Sequence, residues 1–371
     1  MRSNYKAIGE LVERVDIRNT DGSIDTLIGL SIEKCFIRSV ANTIGTDLTK
    51  YKKIRKNQFA VSLMQVSRDE KIPVACLKEF DEAIMSPAYS IFQVMDENTL
   101  LPEYLDMWFK RSEFDREAAF IAVGGVRGSM PWEEFAKMKL PVPPIEKQRS
   151  IIKAYQTITN RIALKQQIND NLEAQAFAIF KINIADVDML QPIYSFGKVI
   201  TGKTPPTSVP EYYGNDIPFI KTPDMHGSVY ITSSECSLST LGADSQSNKY
   251  IPEQTVIVAC IGANAGEVSL TSYLAQTNQQ INGVVTKYPC FLYFSVKTNT
   301  AELRALGEGS STMININKTS FENYEIPTPD LEKLDLLEKQ LKKFFALILY
   351  NQQEIDRLSE MKELLIAQLS R

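Results

Sequence analysis

Two stretches of the chain carry apolar residues at alternating spacings of three and four positions. In the first, the apolar residues are Ile151, Tyr155, Ile158, Ile162, Ile168 and Leu172, and polar Lys165 lies among them. In the second, they are Leu334, Leu337, Leu341, Phe344, Ile348, Ile355 and Leu358, and polar Asn351 lies among them. This spacing is typical of a coiled-coil seam. It predicts two long helices of about 36–40 residues, each ~55–60 Å in length.

Both predicted helices begin after a Pro-x-Pro step, and the sequence around this step is an internal repeat. Residues 135–147 align without a gap with residues 321–333, and Pro327 lies 186 residues after Pro141. In this register Lys165 and Asn351 are counterparts. Proline is tolerated in the first turn of a helix and keeps the preceding residue extended, so each Pro-x-Pro step predicts a helix start. A polar residue on such a seam commonly selects one register.

The segments before the two helices share a plan but few residues. Each has two strand-like runs, a turn followed by a third strand, and a helix-like stretch. The pairs are 59–63 with 255–261, 72–77 with 267–274, 86–92 with 278–284, and 102–118 with 291–306. The sequence therefore predicts an α+β protein, in which two globular α/β domains are joined by two long helices in an antiparallel coiled coil with pseudo-twofold character. The predicted domains are 1–140 and 186–326, with helical regions at 141–185 and 327–371.

Composition excludes several classes of protein. The chain has 371 residues, of which 44% are hydrophobic and 23% charged, as is ordinary for a globular protein. No apolar run approaches the ~18–20 residues of a membrane span, and the first residues lack the apolar core of a secretion signal. The five cysteines form no CxxC pair and there is one histidine, so neither a disulfide framework nor a His-rich metal centre is indicated. We expect no metal, no cofactor and a cytoplasmic location.

Charge gives a weaker indication of the ligand. The formal net charge is −4, and the densest basic run is Lys50–Lys56. Such a run is often a solvated face, but a DNA-binding protein needs local positive patches of this kind. Two similar, non-identical globules on a rigid spacer would suit two non-identical targets at a fixed separation. Double-stranded DNA offers such targets, and two sites on proteins would also satisfy the geometry.

Several stretches resemble the specificity subunit of type I restriction-modification systems. Residues 140–149 are similar to the opening of that family's conserved helical region. Residues 42–51 resemble a stretch common in its target-recognition domains, and residues 201–205 with 212–225 resemble the start of another such domain. There are departures: the usual Gly-Asp before the core strand is Asn57-Gln58 in the first half and Glu253-Gln254 in the second, and the second Pro-Pro-Leu-Glu motif is Thr328–Glu332.

The resemblance implies a function that composition alone does not. Each globule would read one half of a bipartite, asymmetric sequence in double-stranded DNA. Two methyltransferase subunits would dock around the globules and helices, and restriction subunits are an optional further partner. The chain itself would carry no catalytic residues, because S-adenosylmethionine, ATP and Mg²⁺ would belong to the partners.

Candidate DNA contacts are side chains of the types that read bases or bind phosphate. Arginine and lysine suit guanine, and asparagine and glutamine suit adenine. The candidates in the first half are Asn42, Thr43, Thr46, Lys50, Lys52, Lys53, Arg55, Lys56, Gln58 and Arg127. Those in the second half are Lys203, Thr204, Lys221, Thr222, Asp224, His226 and Asn264. The stretch Asn278–Gln280 is left as a structural segment, because the first half has Ser86-Pro87-Ala88 there.

Two alternatives remain open. Residues 197–204 match the letters of a P-loop, which would make the chain an ATPase with Lys203 in its site. The prolines at 205 and 206 disfavour the helix that a P-loop requires, so the same stretch is also a candidate phosphate-contacting loop on DNA, or a plain surface loop. The other alternative is a scaffold whose two globules bind proteins, and its complexes would be insensitive to salt and to competitor DNA.

The predicted spacer gives a first test. Lengthening the first long helix by whole turns is expected to change the number of unread bases between the half-sites and to leave both half-sites unchanged. Mapping methylated adenines in cells that express the lengthened chain with its methyltransferase measures both quantities. An unaltered gap would refute the spacer hypothesis.

Overall fold

The computed structural model describes residues 4–39, 46–64, 66–123, 128–225, 227–308 and 314–370. The chain divides into two units: residues 1–160 with 359–371 form unit 1, and residues 161–358 form unit 2. Both boundaries fall inside the long helices, so each long helix contributes residues to both units. The finer division into four domains remains a prediction.

The described residues of unit 1 form short strands and short helices. Its strands are β1 (Tyr5–Ala7), β2 (Val12–Val15), β3 (Ile28–Leu30), β4 (Phe36–Arg38), β5 (Lys52–Arg55), β6 (Phe59–Val61), β7 (Val74–Cys76), β8 (Glu82–Met85), β9 (Ser90–Val94) and β10 (Lys139–Pro141). Its helices are α1 (Val66–Asp69), α2 (Pro102–Phe109), α3 (Ser112–Ala122) and α4 (Trp132–Lys137). The first long helix, α5 (Ile145–Ile184), follows.

The core of unit 1 lies between a four-stranded antiparallel sheet, in the order β2-β9-β6-β7, and helices α2 to α4. Phe59 of β6 stacks on Phe92 of β9 with ring centroids 5.1 Å apart, and Phe109 and Phe135 pack on the same cluster. Aromatic rings in such offset and edge contacts stabilise a core beyond their buried area. Two small ladders, β3 with β4 and β5 with β8, flank the sheet.

Unit 2 follows a related plan. Its strands are β11 (Leu190–Pro192), β12 (Gly197–Thr201), β13 (Tyr213–Ile220), β14 (Tyr230–Ile231), β15 (Cys236–Leu238), β16 (Val256–Ala259), β17 (Val268–Thr271), β18 (Gln276–Thr277), β19 (Ile281–Thr286) and β20 (Glu325–Pro327). Its helices are α6 (Thr240–Asp244), α7 (Pro289–Thr298), α8 (Thr300–Gly307), α9 (Lys318–Glu322) and the second long helix, α10 (Leu331–Ala367).

The two units share a sheet topology. The order β12-β19-β16-β17 in unit 2 repeats the order β2-β9-β6-β7 in unit 1, and β14 is added parallel to β17. The shared plan expected from the sequence is therefore confirmed. The sequence predicted a single helix-like stretch in each half, but the structure has two consecutive helices there. They are α2 and α3 in unit 1, and α7 and α8 in unit 2. In unit 1 the break lies at Arg111, whose backbone is extended (φ −73°, ψ 136°).

The Pro-x-Pro steps have the same role in both units. Pro141 at the end of β10 pairs with Tyr5 of β1, and Pro327 at the end of β20 pairs with Leu190 of β11. Each long helix begins a few residues later. The two starts differ: the Asp330 carboxylate caps α10 by accepting a hydrogen bond from Lys333 N at 3.0 Å, whereas Pro144 precedes α5.

A left-handed residue stands two positions before each central strand. Asn57 (φ 65°) precedes β6 and Gln254 (φ 62°) precedes β16. This region favours glycine, and asparagine tolerates it better than most residues. The counterpart of Asn57-Gln58 is therefore Gln254-Thr255, one residue later than the alignment Glu253-Gln254 expected from the sequence.

Within unit 2 the two long helices pack antiparallel. Arg161 and Lys165 both form ion pairs with Glu354, the latter at 2.9 Å, and Lys165 Nζ donates a hydrogen bond to Asn351 Oδ1 at 2.8 Å. One turn along, Asn351 Nδ2 donates to Asn169 Oδ1 at 2.9 Å. As the residue number rises on α5, it falls on α10, which is the signature of an antiparallel pair.

The seam differs in two places from the expected one. Asn169, four residues after Lys165, contacts α10, while Ile168 is 37% exposed. On α10 the fully buried phenylalanine is Phe345 rather than Phe344. An α-helix has 3.6 residues per turn, so a strict alternation of three and four drifts off the contact line, and neighbouring positions then take the inner place.

Each long helix lends a buried polar side chain to the start of a helix in its unit. Gln148 Oε1 accepts from Leu101 N at 2.9 Å, just before α2, and its amide donates to Thr99 O and Pro143 O. Glu338 accepts from Phe291 N at 2.9 Å and from Cys290 N at 3.2 Å, in the first turn of α7. Backbone N–H groups at a helix start lack partners within the helix, so these two side chains satisfy them.

These contacts lead to a stability prediction for Glu338, which is 3% exposed. Burial raises the pKa of Glu338, against the opposing effect of the two backbone N–H groups. The folded state therefore prefers the protonated acid. Its stability relative to Glu338→Gln is expected to be greatest below the unfolded pKa of about 4.3 and to fall as pH rises from there through the raised folded pKa. Glu338→Leu leaves both N–H groups unpartnered and is expected to cost roughly 1–3 kcal/mol at every pH. Urea unfolding of the three proteins at pH 4 and 7 measures both effects, and a wild-type stability that rises relative to Glu338→Gln would contradict the assignment.

Candidate nucleic-acid interface

In unit 2 several strand ends meet at one edge. Gly202 N, after β12, donates to Ile281 O at 3.1 Å, and Lys203 N donates to Thr277 O at 2.9 Å. Asn278 N donates to Ile220 O at 3.1 Å, which brings the end of β13 to the same place. We name this edge rim 2: it comprises residues 202–204, 221–222 and 278–280.

Rim 2 presents a row of polar side chains. Thr204 Oγ1 donates to Gln279 Oε1 at 2.7 Å, and Thr222 Oγ1 donates to Gln280 Oε1 at 3.2 Å. Lys203 is exposed, and its ammonium has no hydrogen-bond or ion-pair partner among the described residues. The structure thus places three of the candidates, Lys203, Thr204 and Thr222, at one edge, with Gln279 and Gln280 beside them. Two adjacent amide side chains are a signal that could have identified Gln279 and Gln280 as candidates, but their alignment with Ser86-Pro87-Ala88 favoured a structural segment.

Two other candidates have contacts within the protein. Lys221 Nζ donates to Cys236 Sγ at 2.8 Å, and this hydrogen bond raises the pKa of Lys221. Asp224 accepts from Lys221 N at 2.7 Å and from Glu235 N at 3.0 Å. The Asp224 carboxylate therefore holds a turn together instead of facing a ligand.

Asn264 lies exposed on a tight turn between β16 and β17. Gly262 (φ 87°) and Gly266 (φ 88°) permit that turn, because both adopt the left-handed region. Arg304 braces it by donating from Nη1 to Ala263 O at 2.8 Å and to Ala265 O at 3.0 Å. The turn and α8 border a cleft of about 460 Å³.

Unit 1 has an equivalent edge, which we name rim 1: residues 16–18, 50–52 and 86–89. Residues 16–18 follow β2 as 202–204 follow β12, and 86–89 precede β9 as 278–280 precede β19. Arg18 Nη1 donates to Lys50 O at 2.9 Å, and Lys52 Nζ donates to Tyr89 O at 2.9 Å. Arg18 was not a candidate from the sequence, because only strand pairing brings it beside Lys50.

Acidic side chains neutralise the basic run. Lys52 is 6% exposed, and burial lowers its pKa. The hydrogen bond from Lys53 lowers the pKa of Asp21 to about 2, so this carboxylate stays ionised at neutral pH. The ion pairs are Lys50–Asp47 at 3.4 Å, Lys52–Asp16 at 3.8 Å, Lys53–Asp21 at 2.8 Å, Arg55–Glu82 at 2.6 Å and Lys56–Asp81 at 3.8 Å. The run is therefore not the free positive patch that the sequence indicated.

The far end of the run points away from rim 1. Strand β5 leads from Lys52 at the rim to Arg55, about 10 Å along the strand. Beyond it, Gln58 is 8% exposed; its Oε1 accepts from Arg55 N at 2.8 Å and its amide donates to Gln93 Oε1 at 2.8 Å. Gln58 thus closes the turn before β6. Thr46 is exposed, and Asn42, Thr43, Arg127 and His226 lie outside the described residues.

The stretch 197–204 does not have the geometry of a P-loop. Residues 197–201 form β12, and the next helical residues are the 3-10 turn Pro210–Tyr212. The N–H groups of Gly202 and Lys203 are bonded to Ile281 O and Thr277 O, so they cannot cradle a phosphate. The ATPase interpretation therefore finds no support here.

The described part of the chain contains neither a membrane-spanning helix nor a cluster of metal ligands. No helix among those residues is both long and apolar enough to cross a membrane. No group of three or more His, Cys, Asp or Glu side chains in the same residues is arranged to hold a metal ion.

The chain is similar in sequence to specificity subunits of type I restriction enzymes. The chain is 29% identical over 374 residues to the type I restriction enzyme HindI specificity subunit of Haemophilus influenzae, which covers 78% of this chain and 81% of that protein. It is 29% identical over 167 residues to the type I restriction enzyme MjaIX specificity subunit of Methanocaldococcus jannaschii, covering 43% of this chain and 38% of that protein.

The fold has also been seen before. The crystal structure of the type I restriction-modification system S subunit from M. genitalium superposes with a TM-score of 0.59 at 9% identity, over 99% of this chain and 96% of that chain. The family model for the type I restriction modification DNA specificity domain matches residues 75–174 and 192–360. Because this match spans well over half of the sequence, the chain belongs to the type I restriction modification DNA specificity family.

Proposed function

We propose that the chain reads a bipartite DNA sequence, with rim 1 contacting one half-site and rim 2 the other. The observation that supports this most is the repetition of one strand edge in both units, each lined by polar side chains of different identity. A duplicated edge with different residues suits an asymmetric site whose halves differ. Membership in a DNA specificity family supports DNA as the ligand.

The proposal keeps the candidates whose side chains face outward. In rim 2 these are Lys203, Thr204, Thr222, Gln279 and Gln280, with Asn264 on the neighbouring turn. Around rim 1 they are Thr46 and Lys50. To these we add Arg18, which was not a candidate from the sequence and which also donates to Lys50 O. Lys52, Gln58, Lys221 and Asp224 are left out, because hydrogen bonds within the protein occupy them. Asn42, Thr43, Arg127 and His226 stay predictions.

Gln279 is the best base reader in this set. Among the described residues its Oε1 accepts one hydrogen bond, from Thr204, and its amide nitrogen has no partner, which leaves one lone pair and both amide hydrogens for a ligand. Adenine recognition in the major groove requires one acceptor and one donor from the same amide. The Thr204 hydroxyl holds the side chain in place, which reduces the entropy lost on binding.

The charge distribution supports a role within a larger complex. DNA affinity depends mainly on the number of phosphates that a protein neutralises. With a net charge of −4 and a basic run paired to acids, this chain neutralises few of them by itself. We infer that partner subunits supply most of the phosphate contacts and that this chain supplies the choice of sequence.

The paired helices of unit 2 offer a surface for such partners. Leu164 and Ile168 on α5, and Leu347 and Tyr350 on α10, are exposed apolar side chains. Leu164 and Tyr350 are counterparts in the repeat, 186 residues apart. One matched pair of exposed apolar side chains, with one member on each helix, suits two copies of one partner, which we propose are methyltransferase subunits. Restriction subunits would be an optional addition to that complex.

The chemistry in this proposal lies outside the chain. S-adenosylmethionine, ATP and Mg²⁺ would be bound by the methyltransferase and restriction subunits, and this chain would act in the cytoplasm without catalytic residues. The rival hypothesis is a scaffold that binds two proteins. None of the contacts described for rim 1 and rim 2 specifically favours a protein as the ligand.

A methylome comparison tests the proposed function. The chain is co-expressed with its methyltransferase, and methylated adenines are mapped by single-molecule sequencing. We expect a bipartite motif that disappears when this chain is deleted. Gln279→Ala is expected to relax one position of one half-site and to leave the other half-site intact. Gln340→Ala, an exposed glutamine on α10, is the matched control. Absence of any motif, with no DNA retained at low salt, would favour the scaffold instead.

The ion pairs of the basic run give a second test. Asp21→Asn preserves the hydrogen-bond acceptor but removes the negative charge that neutralises Lys53, so nonspecific DNA affinity at low salt is expected to rise a few-fold and the salt dependence to steepen by up to about one counterion. Asp25→Asn removes the same charge without freeing a lysine and serves as the control. Binding isotherms at several salt concentrations measure the effect, and equal behaviour of the two variants would contradict the role given to Asp21.

A further inference from the structure

Two side chains of rim 2, Gln280 and Lys203, can offer a ligand only hydrogen-bond donors. Gln280 Oε1 accepts from Thr222 Oγ1 at 3.2 Å and from Asn278 Nδ2 at 3.1 Å. A carbonyl oxygen has two lone pairs, so this oxygen is fully used. The Gln280 amide nitrogen has no partner among the described residues, and its two hydrogens are what the side chain can still offer.

Gln280 is also held firmly in place. Asn278, which is 8% exposed, accepts from Gln280 N at 3.1 Å in addition to donating to its side chain. Gln280 O accepts from Cys260 N at 2.7 Å. The side chain therefore has a fixed direction before any ligand arrives, and little conformational entropy is lost on binding.

Lys203 is the second side chain of this kind. An ammonium has three donors and no acceptor, and this one is exposed and has no partner in the part of the chain that the structure describes. Its backbone is pinned, because Lys203 N donates to Thr277 O and Gln246 Nε2 donates to Lys203 O at 2.7 Å. Lys203 and Gln280 therefore project from a rigid edge.

A pair of groups that can only donate does not suit adenine, which requires an acceptor and a donor together. It suits groups that only accept, which are the phosphate oxygens and the O6 and N7 atoms of guanine. Phosphate and sugar together take half to two-thirds of the hydrogen bonds in protein–DNA complexes, which favours the backbone over guanine here. Resting on the proposed function, we propose that Lys203 and Gln280 bind phosphate oxygens of the DNA strand at the second half-site. They position the strand against Gln279 and carry no sequence information themselves.

The test measures affinity for two duplexes, one with the mapped motif and one unrelated, using the full chain with its methyltransferase. Lys203→Ala is expected to weaken both duplexes by the same factor and to reduce the slope of log K against log salt by about one. Gln280→Leu is expected to weaken both roughly fivefold without changing the slope, because the amide is neutral. The methylated motif stays the same in both variants.

Gln280→Glu controls for folding, because it keeps the oxygen that Thr222 and Asn278 contact. It places a negative charge beside phosphate, so the loss is expected to exceed that of Gln280→Leu and to shrink as salt is raised. A changed base preference in the second half-site, or affinities equal to those of the wild type, would overturn the inference. If the wild type itself fails to prefer its motif, the proposed function fails as well, which separates the two hypotheses.

Discussion

The hydrogen bond between Lys165 and Asn351 joins two residues that are counterparts in the duplicated sequence, 186 positions apart. When two equivalent helices pack antiparallel, counterpart residues face each other only where the pseudo-twofold axis passes between the helices. Elsewhere along the pair, each residue faces a residue that is not its counterpart. Glu354 adds ion pairs to Lys165 and Arg161, and these pairs lower the pKa of its carboxyl. A shifted register would leave these charges unpaired on a half-buried seam, which is costly. The polar contacts thus select one alignment of α5 and α10, and the apolar seam stabilises it.

The long helices are also parts of the cores that they enter. Ala176 and Phe180 of α5 are fully buried in unit 2 against Phe291 and Phe294 of α7. Gln148 and Glu338 hold the starts of α2 and α7. These two side chains have the same role, yet they are not repeat counterparts: the position that matches Gln148 is Leu334, and the one that matches Glu338 is Ile152. Both units therefore use a polar side chain of a long helix as a cap, but in unit 2 that side chain lies about one helical turn later in the repeat than in unit 1.

Charge pairing distinguishes the two rims. Around rim 1 the cations have acidic partners, so DNA bound there as proposed would compete with Asp16, Asp21 and Asp47 for them. Rim 2 keeps one free lysine and two glutamines held by threonines. A surface with few free cations gains little from counterion release, and its discrimination then depends on the directional hydrogen bonds that differ between bases. This distribution of charge supports the proposal that the chain chooses the sequence while partner subunits supply most of the contacts to the DNA backbone.

The sequence by itself determined the duplication, the two long helices, the strands before them and the family, because these features follow from periodicity, proline placement and local motifs. Tertiary structure decided which side chains are available. Lys52 and Gln58 belong to suitable residue types, but they are occupied by Tyr89 and Gln93, which are distant in sequence. Arg18, Gln279 and Gln280 reach the rims only through strand pairing. A hydrogen-bond partner is a property of two segments brought together by folding, so a residue's type along the chain cannot reveal whether its polar groups are already satisfied.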